Sequence, residues 1–388
     1  MIQSAIKRLL GERGTAAIRS GRNTLRHYRQ YAFGDGFAKP PTRLDLEITY
    51  RCNARCRMCP LYGEHPDGNR SRSAEPDPQN ELTTSEIRSL LDQCAQLGIS
   101  DVTITGGEPF VRKDLCEVLA YAKTVGLSTG LISNASMIGP AQAAGIVEAG
   151  LNSLNISLDG PAEVHDDIRR SPGMFARVER AISLVKEEKA KRGLDTPHIA
   201  LGCTVSALNE MYIREVVETA SQLGVEVSFN PIFYSTTEQE AATHSLLYGR
   251  PVKPEDWRLP ERIIAVDVVR LAKQLPQAQA LARTLGVAMH SRMGGQKDLV
   301  HRFEEPNYSE NNKCLYPWYA TRVTPSGTVY PCSISVDMGN IREQSLEAIW
   351  NGPKYVQFRR TLRRHRLFPK CAKCCVLDKN DLLCKLLP

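Results

Sequence analysis

The sequence predicts an α/β fold, in which a partial (βα)6 barrel of parallel strands precedes a small cysteine-bearing domain at the C-terminus. Three observations predict it. Six short β-rich runs alternate with helical segments between residues 43 and 235, and such alternation requires a parallel sheet because each strand needs a helical crossover before the next. The 388 residues are enough for one large domain and a smaller one. The last quarter of the chain loses the alternation and contains half of the 12 cysteines.

The strands and helices of the predicted core follow one another in a regular order. The β-rich runs occupy residues 44–49, 101–105, 128–133, 151–158, 198–205 and 225–230. Helical periodicity predicts helices around residues 84–97, 112–125, 140–149, 173–192 and 210–223. Ligands of parallel α/β sheets bind at the carboxyl ends of the strands, so the loops that follow the first four strands are expected to carry the chemistry.

Four regions are predicted along the chain. They are a basic N-terminal extension (1–42), the α/β core (43–235), a linker or helical connection (236–312) and the cysteine-bearing C-terminal domain (313–388). The core contains a long irregular loop, rich in Gly, Pro, Asp and Ser, over residues 62–80. The connection contains an amphipathic helix near residues 260–274 and a polar linker near 303–313.

The N-terminal extension combines positive charge with a short amphipathic helix. Residues 1–34 carry seven lysines and arginines against one glutamate, in a chain whose formal net charge is +7. Apolar side chains recur at helical spacing from Ile2 to Leu10, before Gly11 interrupts the pattern. Such a helix either packs on the main domain or contacts a membrane surface. Nucleic acid is an unlikely partner, because no nucleic-acid-binding motif or row of aromatic residues accompanies the charge.

Composition excludes several classes of protein. No run approaches the roughly eighteen apolar residues of a membrane span, and the N-terminus lacks the apolar stretch of a secretory signal. We therefore expect a globular, cytoplasmic protein. Disulfide frameworks belong to small secreted domains, so the grouped cysteines are expected to bind metal. Cys94, Cys116 and Cys203 stand alone among apolar neighbours and are expected to be core thiols.

The first group of cysteines lies directly after the first predicted strand. Cys52, Cys56 and Cys59 have the spacing C-x3-C-x2-C. Three thiolates on one loop can hold three irons of a [4Fe–4S] cube and leave the fourth iron open to a small ligand. Zinc is the competing interpretation, but it requires four ligands, and His65 is the only further candidate in this loop.

The second group is spread over the C-terminal domain. Cys314 and Cys332 flank a predicted β-hairpin with its tip near Ser326, and Cys371 and Cys374 form a C-x2-C pair after a helix. This arrangement can bring four thiolates to one cube, but four-cysteine zinc sites use the same spacing, so both interpretations stay open on spacing alone. The helix before the pair carries five arginines, which either form a solvated face or lie near an anionic centre. They are Arg359, Arg360, Arg363, Arg364 and Arg366.

Over residues 43–235 the sequence resembles the radical S-adenosylmethionine (SAM) superfamily. The three-cysteine motif matches, and so does Gly-Gly-Glu-Pro after the second strand. The resemblance implies a cluster on the three cysteines and SAM bound to its open iron, with SAM contacts at Gly106, Gly107, Glu108, Asn134, Ser157 and Arg169. In that family Glu108 would receive the amino group of SAM and Arg169 its carboxylate. Met58 departs from the family, which usually has an aromatic residue there, and this is expected to change packing more than binding.

The C-terminal domain resembles the SPASM or twitch domains of the same superfamily, which carry auxiliary [4Fe–4S] clusters. The match includes CLYPWYATRVTPSGTVYPC and CAKC. Asn380 interrupts the full seven-cysteine pattern, although Cys375 and Cys384 remain, so one auxiliary cluster is expected and two clusters in total.

The resemblance implies an oxidoreductase that forms a 5′-deoxyadenosyl radical and abstracts hydrogen from an unactivated C–H bond. A flavodoxin or ferredoxin-type protein would supply the electron. We expect a two-electron oxidation of a small sugar-like or aminocyclitol-like molecule in natural-product biosynthesis, because the short N-terminal region leaves no room for a leader-peptide-recognition domain. The alternative is the maturation of a ribosomal peptide by cross-linking or epimerisation, for which Cys203, Cys375 and Cys384 are spare thiols. Modification of a lipid or an RNA is less expected.

Overall fold

The structure is a computed structural model that describes residues 25–63, 77–249, 259–305, 313–375 and 377. Several sequence predictions lie outside these residues: the helix at residues 2–10, most of the loop at 62–80, most of the polar linker at 303–313, and any role of Cys384.

A parallel sheet forms the centre of the molecule, which confirms the predicted α/β fold. The six predicted strands are β1 (Arg43–Thr49), β2 (Asp101–Gly106), β3 (Ser128–Ser133), β4 (Ser153–Ser157), β5 (His198–Val205) and β6 (Glu226–Pro231). Each pairs in parallel with the next along the chain. Among the described residues β1 does not pair with β6, so this six-stranded unit stays open.

The sheet continues beyond the six strands on both sides. A three-residue strand, β7 (Met289–Ser291), extends it next to β6. On the other side β8 (Ala320–Val323) pairs in parallel with β1, and β9 (Val329–Tyr330) closes the predicted hairpin. Segments from the predicted connection and from the predicted C-terminal domain therefore belong to the same sheet as the core, which has nine strands among the described residues.

Helices connect and cover the strands. A helix, α1, occupies residues 25–33. The core helices are α2 (Thr84–Gln96), α3 (Leu115–Thr124), α4 (Pro140–Glu148), α5 (Ala162–Arg169), α6 (Met174–Arg192) and α7 (Ile213–Gln222). The later helices are α8 (Thr237–Tyr248), α9 (Glu261–Ile264), α10 (Val268–Leu285), α11 (Gln296–Phe303), α12 (Tyr316–Tyr319), α13 (Leu346–Trp350) and α14 (Pro353–His365). The predicted core helices are found within a few residues, whereas α5 and α8 were not predicted.

The two faces of the sheet differ in character. Along β2, Val102 and Ile104 are buried in the hydrophobic core, while Thr103 and Thr105 are half-buried. Successive side chains of a strand point to opposite faces, so one face packs on the helices and the other is polar and partly accessible. We call the second one the polar face. Cys203 lies on the helix-packed face of β5 and is buried, as predicted.

The arginines of the basic helix α14 do not all face solvent. Arg359 is completely buried, and its guanidinium lies over the rings of Trp350 and Tyr355 at 4.0 and 4.1 Å from their centroids. It donates hydrogen bonds to the carbonyl oxygens of Pro317, Gly36 and Trp350. Arg359 therefore joins α14 to the turn after α1, to α12 and to α13, and the exposed arginines of α14 lie on its other side. No helix among the described residues is long and apolar enough to cross a lipid bilayer.

Candidate active site

The first cysteine loop leaves the carboxyl end of β1. The Cys59 amide donates to the Cys56 carbonyl at 3.1 Å, and Gly63 donates to the Cys59 carbonyl at 2.7 Å, so the loop is a sequence of tight turns. Burial raises the pKa of the Cys52 thiol to about 12, and the neighbouring Cys56 adds to the shift. Burial also raises the pKa of Cys59. Thiolates in this position need a cationic partner, and an iron cluster supplies one.

The glycine pair after β2 lets two backbones approach each other. A Cβ on Gly106 would lie 2.1 Å from the Thr49 carbonyl oxygen, and one on Gly107 would lie 2.2 Å from that of Arg51. The Gly107 amide donates to Thr49 and the Glu108 amide to Arg51, at 2.6 and 2.8 Å. The family resemblance implies that both glycines contact SAM. The structure adds that they fasten the turn to the chain just before Cys52.

Glu108 is a buried hydrogen-bond acceptor in this turn. Its Oε1 accepts from the Ser133 hydroxyl at 2.8 Å and from the Phe110 amide at 3.2 Å, while Oε2 accepts from the Asn134 amide at 2.8 Å. Burial raises the pKa of this carboxyl. A carboxylate has about four acceptor positions, so one position on Oε2 remains for a further donor. Glu108 thus joins the ends of β2 and β3 and can still receive an ammonium group.

Asn134 and Ser157 lie at the ends of β3 and β4. The Asn134 Nδ2 donates to Asn53 in the cysteine loop at 2.9 Å, and its Oδ1 accepts from the Ser136 amide at 2.9 Å. One of its side-chain hydrogen bonds therefore holds the cysteine loop against the end of β3, and its Oδ1 fixes the turn at Ser136. Ser157 is half-buried and belongs to the polar face.

Arg169 connects α5 to the cysteine loop. Its Nε donates to Oδ2 of the fully buried Asp159 at 2.7 Å, and its Nη1 lies 3.7 Å from the Cys56 sulfur. Burial alone would lower the pKa of the guanidinium, but Asp159 and Cys56 outweigh it and raise the pKa, which keeps Arg169 charged. His165 fixes the same segment, since its Nδ1 accepts from the Asp159 amide at 3.1 Å. Asp159 and His165 were not predicted as site residues, although both lie between the predicted Ser157 and Arg169.

The second set of cysteines lines a single cavity. The cavity measures about 50 Å³, against roughly 10–15 Å³ for one water on the same measure. The cysteines that line it are Cys314, Cys332, Cys371 and Cys374. Burial raises the pKa of Cys332 to about 12. Cys375 is half-buried and is not among the residues that line the cavity.

Two cationic side chains also line this cavity. Arg322 lies 3.2 Å from Glu47, and Lys370 lies 2.7 Å from Glu240 in a pair that is about 5% exposed on each side. The four cysteines would together be strongly anionic as thiolates, so the cations complement them. The donor set and charge of the cavity therefore fit an iron–sulfur cluster with four thiolate ligands. A single metal ion is a different case from a cluster. In the described ranges, no three His, Cys, Asp or Glu side chains lie close enough together to hold one metal ion.

Strand β1 lies between the two cysteine sets. Asp45 lines the cavity and accepts a hydrogen bond from the Tyr316 hydroxyl. The first cysteine loop begins after Thr49, four residues farther along the strand, or about 13 Å at 3.3 Å per residue. The polar face of the sheet therefore extends from one cysteine set to the other.

Comparisons with known proteins agree with this geometry. The sequence profile of the Radical SAM superfamily matches residues 46–212, and that of SPASM, an iron–sulfur cluster-binding domain, matches residues 314–375. The AdoMet-dependent heme synthase of Methanosarcina barkeri is 28% identical over 86% of this chain and 88% of its own length. The PqqA peptide cyclase of Xanthomonas oryzae pv. oryzae is 26% identical over 87% of this chain and 81% of its own.

A solved structure shares the fold. The crystal structure of Streptococcus suis SuiB bound to S-adenosylmethionine superposes with a TM-score of 0.59 at 14% identity, over 90% of this chain and 74% of that one. With both profiles matched, the chain belongs to the radical SAM superfamily, as an enzyme that uses SAM and [4Fe–4S] clusters and carries a C-terminal SPASM domain.

Proposed function

We propose that this enzyme oxidises a peptide substrate that binds along the polar face of the sheet, between the two cysteine sets. One observation carries the proposal. This face carries the half-buried apolar Ala200 and the exposed Ile132. From β2 to β6 its other half-buried side chains are small and carry hydroxyl or amide groups. They are Thr103, Thr105, Ser128, Asn155, Ser157, Thr204, Ser228 and Asn230.

Such a lining suits a chain of amide groups. Serine, threonine and asparagine side chains offer both donors and acceptors, as the alternating N–H and C=O groups of a peptide require. A tetrapyrrole presents two wide apolar faces and would favour a mostly apolar pocket. Among the described residues the sheet ends in β7 on one side and β9 on the other, so an extended substrate would have room.

The cysteine assignments form part of the proposal. Cys52, Cys56 and Cys59 would hold the cluster that binds SAM, and the four cysteines of the cavity would hold a second, fully ligated cluster. When bound, the first cluster and SAM supply a 5′-deoxyadenosyl radical that removes a hydrogen atom from the substrate. The second cluster suits electron acceptance, because no ligand position is left for substrate.

The chain's own residues would orient SAM. Glu108 would accept a hydrogen bond from the SAM ammonium through its remaining Oε2 position, since a buried carboxylate strongly favours a cationic donor. Arg169 would pair with the SAM carboxylate while Asp159 keeps the guanidinium in place. Ser157 would contact the ribose from the end of β4, and Asn134 would act mainly by holding the cysteine loop.

The comparisons support a peptide better than the sugar-like molecule expected from the sequence. The peptide cyclase covers 87% of this chain. The heme synthase covers a similar share, so a tetrapyrrole is the second candidate. The two relatives support both substrate classes, and the polar face favours the peptide.

Mass spectrometry of the product tests the substrate class. Enzyme reconstituted anaerobically with iron and sulfide would be incubated with SAM, dithionite and synthetic peptides from reading frames beside its gene. We expect a peptide to lose two hydrogen atoms for each 5′-deoxyadenosine formed. Coproporphyrin and aminocyclitols are the parallel substrates. Turnover of one of them, with no peptide modified, would refute the proposal.

A heavy-water experiment separates oxidation from epimerisation. An oxidised peptide gains no solvent deuterium at the carbon that loses hydrogen, whereas an epimerised one gains a single deuterium there. Incorporation that disappears in Cys375→Ala would identify Cys375 as a hydrogen donor and would overturn the oxidation.

A further inference from the structure

Helix α1 presents an exposed stripe that combines apolar and basic side chains. Leu25, Arg29 and Phe33 are spaced by four residues and all are exposed, with Phe33 at 82%. Single exposed apolar residues are common on protein surfaces, but a phenylalanine is rarely this exposed. The opposite side of α1 is packed, because Tyr31 lies edge-on to Trp318 at 4.9 Å between ring centroids. Because the opposite side of α1 packs on the protein, the exposed stripe faces solvent.

A second phenylalanine follows in the next turn. Phe37 is 53% exposed, and its amide donates to the Gly34 carbonyl at 2.8 Å. The turn is fixed by α14, since Arg360 pairs with Asp35 at 2.7 Å and its Nε donates to the Asp35 carbonyl at 3.1 Å. Phe33 and Phe37 therefore flank a turn that α14 holds in place.

Basic side chains of α14 reach the turn between the two aromatic rings, where Arg360 and Arg363 pair with the exposed Asp35. Arg363 donates to the Ala32 carbonyl at 3.3 Å, next to Phe33, and Arg364 is exposed one turn beyond Arg360 on α14. The sequence that leads into α1 adds five basic residues and one acidic residue over positions 1–24. Aromatic rings beside arginines match a bilayer surface, where rings enter the interface and cations meet lipid phosphates.

We propose that the surface formed by Leu25, Arg29, Phe33, Phe37, Arg360 and Arg364, here called the α1 surface, docks the enzyme on an anionic lipid bilayer. Charge complementarity favours a negative partner, and the exposed rings favour one with an apolar interior. An acidic protein would satisfy the charge but would leave Phe33 and Phe37 without an equivalent partner. The inference does not depend on the identity of the substrate.

Vesicle co-sedimentation of the full chain tests the proposal. We expect binding to phosphatidylcholine vesicles that contain about a quarter phosphatidylglycerol, and little binding to phosphatidylcholine alone, with affinity falling as salt increases. The Phe33→Ser/Phe37→Ser variant should lose most of this binding. Replacing Arg29 and Arg364 by glutamine should weaken it about fivefold for each charge removed.

A control variant makes the same kinds of substitution on a different surface of the protein. Val269 on α10 is 74% exposed and Arg214 on α7 is exposed, so Val269→Ser/Arg214→Gln removes one apolar and one basic side chain elsewhere. It should bind vesicles like the natural sequence. All of these positions are on the surface, so thermal melting should be unchanged.

Two results would overturn the inference. One is that the natural sequence sediments equally with both vesicle types, or that the Phe33→Ser/Phe37→Ser variant sediments as much as the natural sequence. The other is no vesicle binding, combined with slower reduction by an acidic flavodoxin in the Arg29→Gln/Arg364→Gln variant, which would make the α1 surface a protein-docking site.

Discussion

Glu108 joins the ends of β2 and β3 and is proposed to bind the SAM ammonium, and Glu108→Gln distinguishes the two roles. The variant keeps the size of the side chain and leaves Oε1 available to Ser133 and Phe110. It replaces Oε2 by an amide nitrogen, which faces the Asn134 N–H as donor against donor. The clamp between β2 and β3 therefore loses one bond, and the position proposed to accept the SAM ammonium is lost with it.

The magnitude follows from those contacts. A buried amide left without its acceptor costs about 1–3 kcal/mol, which corresponds to a melting temperature lower by a few degrees in a domain of this size. A hydrogen bond that involves a charged group contributes about 1.5–3 kcal/mol. Its loss should weaken SAM binding by roughly tenfold to a hundredfold.

Ser133→Ala is the matched control. It removes the hydroxyl that donates to Oε1, and so loosens the same clamp, but it leaves the carboxylate charge in place. Melting temperature and anaerobic SAM titration of cluster-loaded enzyme would be measured for both variants. We expect both to melt earlier and only Glu108→Gln to bind SAM more weakly.

Two outcomes would refute this reasoning. If Glu108→Gln binds SAM as tightly as the natural enzyme, then Glu108 is purely part of the scaffold. If it melts at the natural temperature, the hydrogen bonds from Ser133 and Asn134 do not hold β2 to β3.

Three further predictions concern other parts of the site. Cys56→Ala should abolish 5′-deoxyadenosine formation and reduce bound iron from about eight to about four atoms per chain, since only the second cluster survives; iron that stays near eight would place the first cluster elsewhere. Burial lowers the pKa of His165 to about 3 from 6.5, so the unfolded state binds its proton first and stability falls as pH drops below about 6.5. At pH 5.5 the free energy of unfolding should be about 1.4 kcal/mol lower because of His165. Urea titrations of His165→Asn should show that this part of the pH dependence of stability is lost. Lys370→Met removes a cation from the second cavity, so the reduction potential of that cluster should shift to a lower value in an EPR-monitored titration. An unchanged potential would mean that the ammonium does not act on the cluster.

The sequence predicted most of the core because its signals are local. Strands β3 and β5 have the predicted boundaries, since β-rich runs bounded by turn residues determine them without help from distant segments. The three-residue β7 carries no such signal. The parallel pairing of β8 with β1 also has no local signal in the sequence, because it joins residues about 280 positions apart.

The site was predicted in part for the same reason. Cysteine spacing identified the four residues that line the second cavity, and the cavity gathers them as expected. The cations around them could not be identified, since Arg322 and Lys370 look like ordinary surface residues in the sequence. In the sequence Arg359 is one of five arginines on the same helix. Its burial becomes visible only in the structure, where its guanidinium stacks on the rings of Trp350 and Tyr355.

Glu47 explains why the two cysteine sets are fixed relative to each other. It lies on β1, on the same face as Asp45, and its Oε1 lies 3.2 Å from the guanidinium of Arg322, which lines the second cavity. Its Oε2 accepts a hydrogen bond from the Tyr50 hydroxyl at 2.9 Å, two residues before Cys52. One carboxylate thus joins the segment that carries the first cysteine loop to the strand that borders the second cavity. A shift of β1 by one residue would turn Asp45 and Glu47 to the helix-packed face and break both connections at once, so the hydrophobic alternation that sets the register of β1 also sets the geometry between the two sites.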